Sequence, residues 1–121
     1  VLDSKTLRVL QNQLKSTHID PQIERYIADI IFASREPKTY GLDKLENFIR
    51  FGASPRATID LHKAARAHAL LLGRDFVTPV DVASVSKEVM RHRIILSYEA
   101  EAQGITTDAL IDTLIETIPL P

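Results

Sequence analysis

Apolar residues recur every three or four positions along most of the chain, a spacing that predicts amphipathic helices. The clearest example follows Asp20 and Pro21, which combine an N-cap residue with proline at the first helical position. Its apolar positions share one face of the helix: Ile23, Tyr26, Ile27, Ile30 and Ile31. A helix of about three turns is predicted before it, with an expected N-cap at Asp3 or Ser4 and an apolar spacing set by Leu7, Leu10 and Leu14.

Ser54 and Pro55 repeat the same cap-then-proline signal and open a long helix that is expected to run to about Leu72. Gly73 is then the residue after the helix end, where a left-handed backbone is common. The expected inner stripe is rich in alanine, which indicates that a neighbouring helix approaches closely. Its members are Ala57, Leu61, Ala64, Ala65, His68 and Leu72.

Three further helical segments are predicted towards the end of the chain. Thr78 and Asp81 form a pattern typical of a capping box around Pro79, and the helix they open has Val82, Val85 and Val89 on its inner face. A short helical piece over 98–103 ends at Gly104. Thr106 or Thr107 caps a last helix, and its apolar face is formed by Leu110, Ile111, Leu114, Ile115 and Ile118.

Residues 35–52 are the least regular stretch, although Leu42, Leu45, Phe48 and Ile49 allow a short helix within it. A connection of this length is often functional. Strand signals are weak, and the one β-like run, 93–97, is short. We therefore predict one all-α domain over residues 1–121, a small bundle of about five or six helices.

Composition excludes several classes of function. The chain has 121 residues, 45% of them apolar and 26% charged, which suits a single domain with a modest core. A net charge of −1 gives no support for binding to nucleic acid or to a membrane surface. The absence of cysteine excludes disulfides and thiolate catalysis. No apolar run approaches the roughly 18 residues of a membrane span.

The side chains form no pattern typical of a metal site or of a catalytic site. The four histidines, His18, His62, His68 and His92, make no pair at four-residue spacing, so we expect them to be surface or partly buried residues. Asp108 and Asp112 lie on the polar face of the last helix, where solvation is the simplest interpretation. Neither a phosphate-binding glycine loop nor a nucleophile elbow is present. We therefore assign no catalytic and no metal-binding residue.

Arg56 is the exception, because Ser54 as a cap would place it in the first turn of a helix. The helix dipole disfavours a basic residue there by up to about 1 kcal/mol. Four free backbone N–H groups at the same end, together with the guanidinium, would suit an anion such as phosphate. The alternative is an ordinary surface ion pair with Asp60, one turn further on. Spacing alone favours the ion pair.

Several stretches together resemble one family. The sequence "GASPRAT-DL-KAARAHALLLGRDFVTPVDV" is similar to the C-terminal lid of MoxR-type AAA+ ATPases. The stretches "REPKTYGL", "VMRHRIILSYEAEAQGIT" and "IETIPLP" carry the same resemblance, which extends over nearly the whole chain.

This resemblance implies that the chain is a fragment of a larger ATPase, and the start at Val1 rather than at Met fits that expectation. It implies that Arg56 is the sensor-2 arginine, which contacts ATP phosphate and couples nucleotide state to lid movement, with Ser54 and Pro55 as neighbouring cofactor-binding residues. ATP and Mg²⁺ would be held by the missing AAA+ core domain, so the isolated chain is expected to bind no cofactor and to hydrolyse no ATP.

The resemblance also implies partners. Neighbouring subunits would form a ring, taken to be a hexamer, and a protein substrate would be remodelled in a chaperone-like way through a von Willebrand A-type partner. The expected location is the cytoplasm, with no nucleic-acid or membrane partner.

Two other interpretations stay open at this point. The stretch "GRDFVTPVDVASVSK" is reminiscent of a histone fold, although that fold needs a longer central helix than the one Pro55 opens. A stand-alone helical interaction module is the other. The sequence leaves undecided whether Arg56 acts on its own subunit's nucleotide or on a neighbour's. It also leaves open the roles of residues 91–93 and of the 35–51 segment.

Overall fold

The computed structural model describes residues 4–119 and 121, apart from the side chains of residues 10, 11 and 13–16. The predicted cap at Asp3 and the side chains of Leu10 and Leu14 lie outside the described residues. Seven α-helices occur within the described part of the chain: α1 Ser4–Ser16, α2 Pro21–Arg35, α3 Asp43–Glu46, α4 Arg56–Leu71, α5 Pro79–Met90, α6 Tyr98–Ala102 and α7 Thr107–Thr117. A 3₁₀ turn, Pro37–Tyr40, precedes α3. The all-α prediction is confirmed. The structure has one helix more than the five or six predicted, and this helix is the four-residue α3, which lies in the segment where the sequence allowed a short helix.

The predicted side-chain caps are confirmed at the starts of three helices, α2, α5 and α7. The Asp20 carboxylate accepts from the Gln22 N–H at 2.9 Å, directly before α2. Thr78 and Asp81 cap α5 reciprocally, as the pattern predicted. Thr106, rather than Thr107, caps α7 by accepting from the Ala109 N–H. Each of these bonds satisfies a backbone donor that the helix itself leaves free.

The core lies where α2, α4, α5 and α7 meet, and α4 packs chiefly against α5. The largest side chains with almost no exposed surface come from these four helices: Ile27, Ile30, Leu61, Val82, Met90, Leu110, Ile111 and Leu114. No helix among the described residues is both long and apolar enough to cross a membrane.

The alanine-rich stripe of α4 differs in part from the prediction. Ala57, Leu61, Ala65 and Ala69 are fully buried and follow one another at four-residue spacing. Leu72 was predicted to be in this stripe but is 60% exposed. Since α4 ends at Leu71, the chain turns away before Leu72 reaches the core. The three buried alanines allow the close approach of α5 that the sequence indicated.

A small antiparallel sheet was not predicted. Strand β1, Ile49–Phe51, pairs with β2, Ile95–Leu96, with Ile49 opposite Leu96 and Phe51 opposite Ile95. The β-like run at 93–97 therefore forms a strand of two residues, and its partner lies inside the irregular 35–52 segment. The Ser97 hydroxyl adds a bond of 2.6 Å to the Asn47 carbonyl. The sheet thus holds the end of that segment, immediately before Gly52.

Candidate functional site

The segment 52–56 is fastened to the end of α2. A Cβ on Gly52 would lie 2.6 Å from the Ser34 carbonyl carbon and 2.7 Å from the Arg35 Cα, so a side chain larger than hydrogen does not fit there. The buried Ala53 N–H donates to the Ser34 hydroxyl at 3.0 Å, and that hydroxyl donates to the Ile31 carbonyl at 2.6 Å. Both contacts are with atoms of α2, so the position of α2 determines where α4 begins.

The start of α4 differs from the prediction that the Ser54 side chain caps it. The helix begins at Arg56, and Pro55 occupies the cap position with no side-chain hydrogen bond to the helix. Pro55 already has helical angles, φ −55° and ψ −25°. The turn therefore closes through backbone carbonyls, with the Ala57 N–H donating to Ser54 at 2.9 Å and the Thr58 N–H donating to Pro55 at 3.0 Å. The expectation of four free N–H groups at this end was wrong, because these two donors are satisfied.

Arg56 is exposed at the first position of this 16-residue helix, whose first turn contains no acidic residue. Its guanidinium makes no ion pair or hydrogen bond within the part of the chain that the structure describes. The alternative partner, Asp60, instead accepts from Arg93 at 2.7 Å. The ion-pair interpretation of Arg56 is therefore wrong, and the guanidinium is free to meet an external group.

Arg91 and Arg93, whose roles the sequence left open, have partners within the chain. Arg91 donates twice to Asp108, at 2.7 and 3.0 Å, and joins α5 to α7. This hydrogen bond holds the pKa of Asp108 below its usual value. Lys87 and Asp112 make a second link between the same helices at 2.9 Å. Asp108 and Asp112 are thus ion-pair partners rather than merely solvated carboxylates.

A buried charged cluster between α4 and α5 was not predicted beyond its capping box. Asp81 has no exposed surface, and its carboxylate accepts from Arg74 at 2.6 and 2.7 Å, from the Thr78 N–H at 2.7 Å and from the Thr78 hydroxyl at 3.0 Å. His68 Nδ1 lies 2.7 Å from the same carboxylate. Burial acts to raise the pKa of Asp81, but the hydrogen bonds from Arg74, Thr78 and His68 outweigh it and hold that pKa well below its usual value.

This cluster has a structural role, since it locks the end of α4 to the start of α5. Sequence signals revealed the Thr78–Asp81 capping box because it is local. Nothing in the spacing indicated that His68 and Arg74 would reach the same carboxylate. Within the described residues, no group of three His, Asp or Glu side chains could hold a metal ion.

The arrangement around Arg56 suits an anion. A guanidinium offers a planar fork of donors to phosphate or carboxylate oxygens. The N-terminus of α4 adds a partial positive charge at the same place. Because Arg56 has no competing carboxylate, an incoming anion displaces only water.

Comparisons with known proteins show which family the chain is similar to. The family model described as "AAA lid domain" matches residues 45–114, which include the whole 52–58 segment. Chaperone MoxR1 of Mycobacterium tuberculosis is 36% identical over 121 residues, covering all of this chain and 32% of that protein. Protein MoxR of Paracoccus denitrificans is 45% identical over 112 residues, covering 87% of this chain and 32% of that protein.

A protein of known structure has the same fold as this chain. A protein from Cytophaga hutchinsonii, described as a candidate ATPase, superposes with a TM-score of 0.93 at 38% sequence identity. The match covers 97% of this chain and 36% of that one.

The helical architecture and the matched residues define the chain as an AAA lid domain. Its relatives are MoxR proteins over its full length, so the chain belongs to the lid domains of MoxR-type AAA+ ATPases. It spans about a third of the length of these relatives.

Proposed function

We propose that the chain is the nucleotide-sensing lid of a longer MoxR-type AAA+ ATPase and that Arg56 is its sensor-2 residue. The observation that carries the proposal is the state of Arg56 itself. It is an exposed guanidinium at the N-terminus of a long helix, with no partner in the described part of the chain. Asp60, the carboxylate one turn away, is already bound by Arg93.

In this proposal a core domain holds ATP and Mg²⁺, and Arg56 donates to the terminal phosphate. A charge-assisted contact of this kind contributes about 1.5–3 kcal/mol, enough to bias a lid between two orientations. Gly52 and Ala53 couple the position of Arg56 to that of α2. Because they are seated on Ser34, a displacement of Arg56 moves the end of α2 together with the start of α4.

The wider assembly belongs to the same proposal. Family membership supports a ring of subunits, with a hexamer as its expected size, and a core domain as the immediate partner of the lid. The M. tuberculosis relative is named a chaperone, which supports remodelling of a protein substrate. The location that we propose for this activity is the cytoplasm. A von Willebrand A-type partner is the adaptor that we propose for that substrate.

The test is Arg56→Ala in the longer ATPase. We expect ATP turnover to fall about tenfold or more, the rate equivalent of losing one charge-assisted phosphate contact. The fold should be unchanged, because Arg56 is exposed and supports no other residue. Steady-state ATP hydrolysis and thermal unfolding measure the two quantities.

The matched control is Arg25→Ala, which removes an exposed arginine from the second turn of α2. Turnover should be unchanged in that variant. A rate for Arg56→Ala within twofold of the wild type would remove the sensor-2 role.

A further inference from the structure

Asp60 is the one acidic residue in α4, and it follows Arg56 by four residues. Side chains at this spacing are neighbours on a helix, with about 5–6 Å between their Cβ atoms. The Asp60 carboxylate nevertheless accepts a hydrogen bond of 2.7 Å from Arg93, which comes 33 residues later in the chain. The structure therefore pairs this carboxylate with a distant arginine although a cation lies one turn away.

Arg93 reaches Asp60 from the turn between α5 and β2. The Arg93 N–H donates to the Met90 carbonyl at 2.8 Å, and the Ile94 N–H donates to the same carbonyl at 3.2 Å. Met90 is fully buried and Ile94 is 5% exposed, so the core fixes both ends of this turn. The backbone thus holds Arg93 where its side chain contacts α4.

This pairing determines which groups compete for Arg56. Without Arg93, the Asp60 carboxylate would be left beside Arg56 on the same helix face, where an ion pair at four-residue spacing forms readily. A guanidinium that is bound to a carboxylate is less available to phosphate, because both anions use the same N–H donors. Lys63, three residues after Asp60, is the other cation of α4 that lies at helical spacing from it, and it makes no ion pair among the described residues.

We infer that Arg93 is a positioning residue for the nucleotide contact of Arg56, because it occupies Asp60 and so keeps the guanidinium of Arg56 unpaired. The inference rests on the proposed function, since ATP is the ligand that Arg56 is kept free to meet. It gives the turn after α5 a role in ATP hydrolysis that requires no contact between Arg93 and the nucleotide.

Arg91 and Asp108 form a matched pair for comparison. Their side chains are 43% and 44% exposed, against 42% and 34% for Arg93 and Asp60. Both arginines follow the last residue of α5, and each donates at 2.7 Å to a carboxylate on another helix. Asp108, however, lies on α7 rather than on the helix that carries Arg56. A general effect of losing an exposed ion pair should therefore be the same in both pairs.

The test measures kcat/KM for ATP hydrolysis by the longer ATPase. Arg93→Gln should lower kcat/KM about threefold, as competition from an ion pair on one helix face implies. Adding Asp60→Asn to this variant should restore the wild-type value, because the competing carboxylate is then absent. Arg91→Gln should leave kcat/KM unchanged. Thermal unfolding checks that each variant is folded.

Asp60→Asn alone separates positioning from a purely structural role. This variant and Arg93→Gln break the same ion pair, so a structural role predicts equal losses of kcat/KM in both and no recovery in the double variant. Positioning predicts a loss in Arg93→Gln only. Equal losses would overturn the inference. An unchanged kcat/KM in Arg93→Gln would overturn it too, and is the result expected if Lys63 replaces Arg93 as the partner of Asp60.

A readout independent of turnover separates this inference from the proposed function. A crystal structure of the nucleotide-free Arg93→Gln ATPase should show the Arg56 guanidinium within hydrogen-bond distance of Asp60, and its absence would overturn the inference whatever the rate. If this contact forms but Arg56→Ala leaves turnover unchanged, Arg93 controls the pairing of Arg56 and the sensor-2 role fails. If Arg56→Ala lowers turnover and the contact does not form, the sensor-2 role survives and Arg93 is not its positioning residue.

Discussion

At the scale of single residues, the carboxylate of Asp81 is the least expected feature of the lid. A buried charge is costly unless hydrogen bonds replace its water. Arg74, Thr78 and His68 supply those bonds at 2.6–3.0 Å. The sequence predicted the Thr78 part because it lies three residues from Asp81. It could not predict His68 or Arg74, because their approach depends on how α4 ends and on the left-handed turn at Gly73.

Asp81→Asn tests this cluster. The amide keeps the size of the side chain but leaves Arg74 without its carboxylate, so we expect the free energy of unfolding to fall by about 3 kcal/mol. Urea denaturation gives this value. Asp112→Asn is the control, since it removes a carboxylate whose ion pair with Lys87 is largely exposed and should cost less than about 1 kcal/mol. Equal losses in the two variants would contradict the structural role of the cluster.

At the scale of elements, those that depend on local signals were predictable from the sequence, and those that depend on long-range contacts were not. The starts of α2, α5 and α7 were predictable, since a cap and its helix are neighbours in sequence. Strand β1 was not, because its partner β2 lies more than forty residues away and both strands are very short. The start of α4 falls between these cases. Ser54 and Pro55 indicated its place correctly, but its position in space depends on Gly52 and Ser34.

Gly52→Ala tests the seating of this segment on α2. The added methyl group would overlap the Ser34 backbone, which cannot move without displacing the end of α2. We expect a loss of about 2–4 kcal/mol in the free energy of unfolding, typical of severe overpacking. In the longer ATPase, turnover should fall as well, because Arg56 is displaced with the segment.

Gly104→Ala provides the control for Gly52→Ala. Gly104 has φ 74° but no atom near the position of an added Cβ. Its replacement should therefore cost only the backbone strain of about 1–2 kcal/mol and leave turnover unchanged. If Gly52→Ala is no more destabilising than this control, the close contact with Ser34 does not position Arg56.

At the scale of the whole molecule, the helices are joined by a shared core and by charged links at its edge. Arg91 and Lys87 connect α5 to α7, and Arg93 connects the end of α5 to Asp60 on α4. The family could be predicted from the sequence because several stretches resemble it together. That Arg56 has no carboxylate partner among the described residues could not be predicted, since spacing favoured an ion pair with Asp60. The structure decides this question by giving Asp60 another partner.

The pH dependence of stability should reveal two titratable groups separately, the half-buried His62 and the buried Asp81. Burial is the main cause that holds the pKa of His62 below its usual value, with Arg66 acting in the same direction and Glu24 against it. The pKa of Asp81 is also lowered, by the hydrogen bonds that outweigh its burial. In both cases the unfolded chain binds the proton more tightly, so stability is present above the unfolded pKa and is lost as the pH falls.

We therefore expect the free energy of unfolding to decline in two stages between pH 7 and pH 3. The first begins near pH 6.5, the ordinary pKa of histidine, and should be absent in His62→Gln. The second begins near pH 4, the ordinary pKa of aspartate, and should be reduced in Asp81→Asn, with the rest of the slope due to groups such as Asp108. Urea titrations at each pH measure both stages. A single stage that neither variant alters would show that the lid's response to acid comes from its surface charges instead.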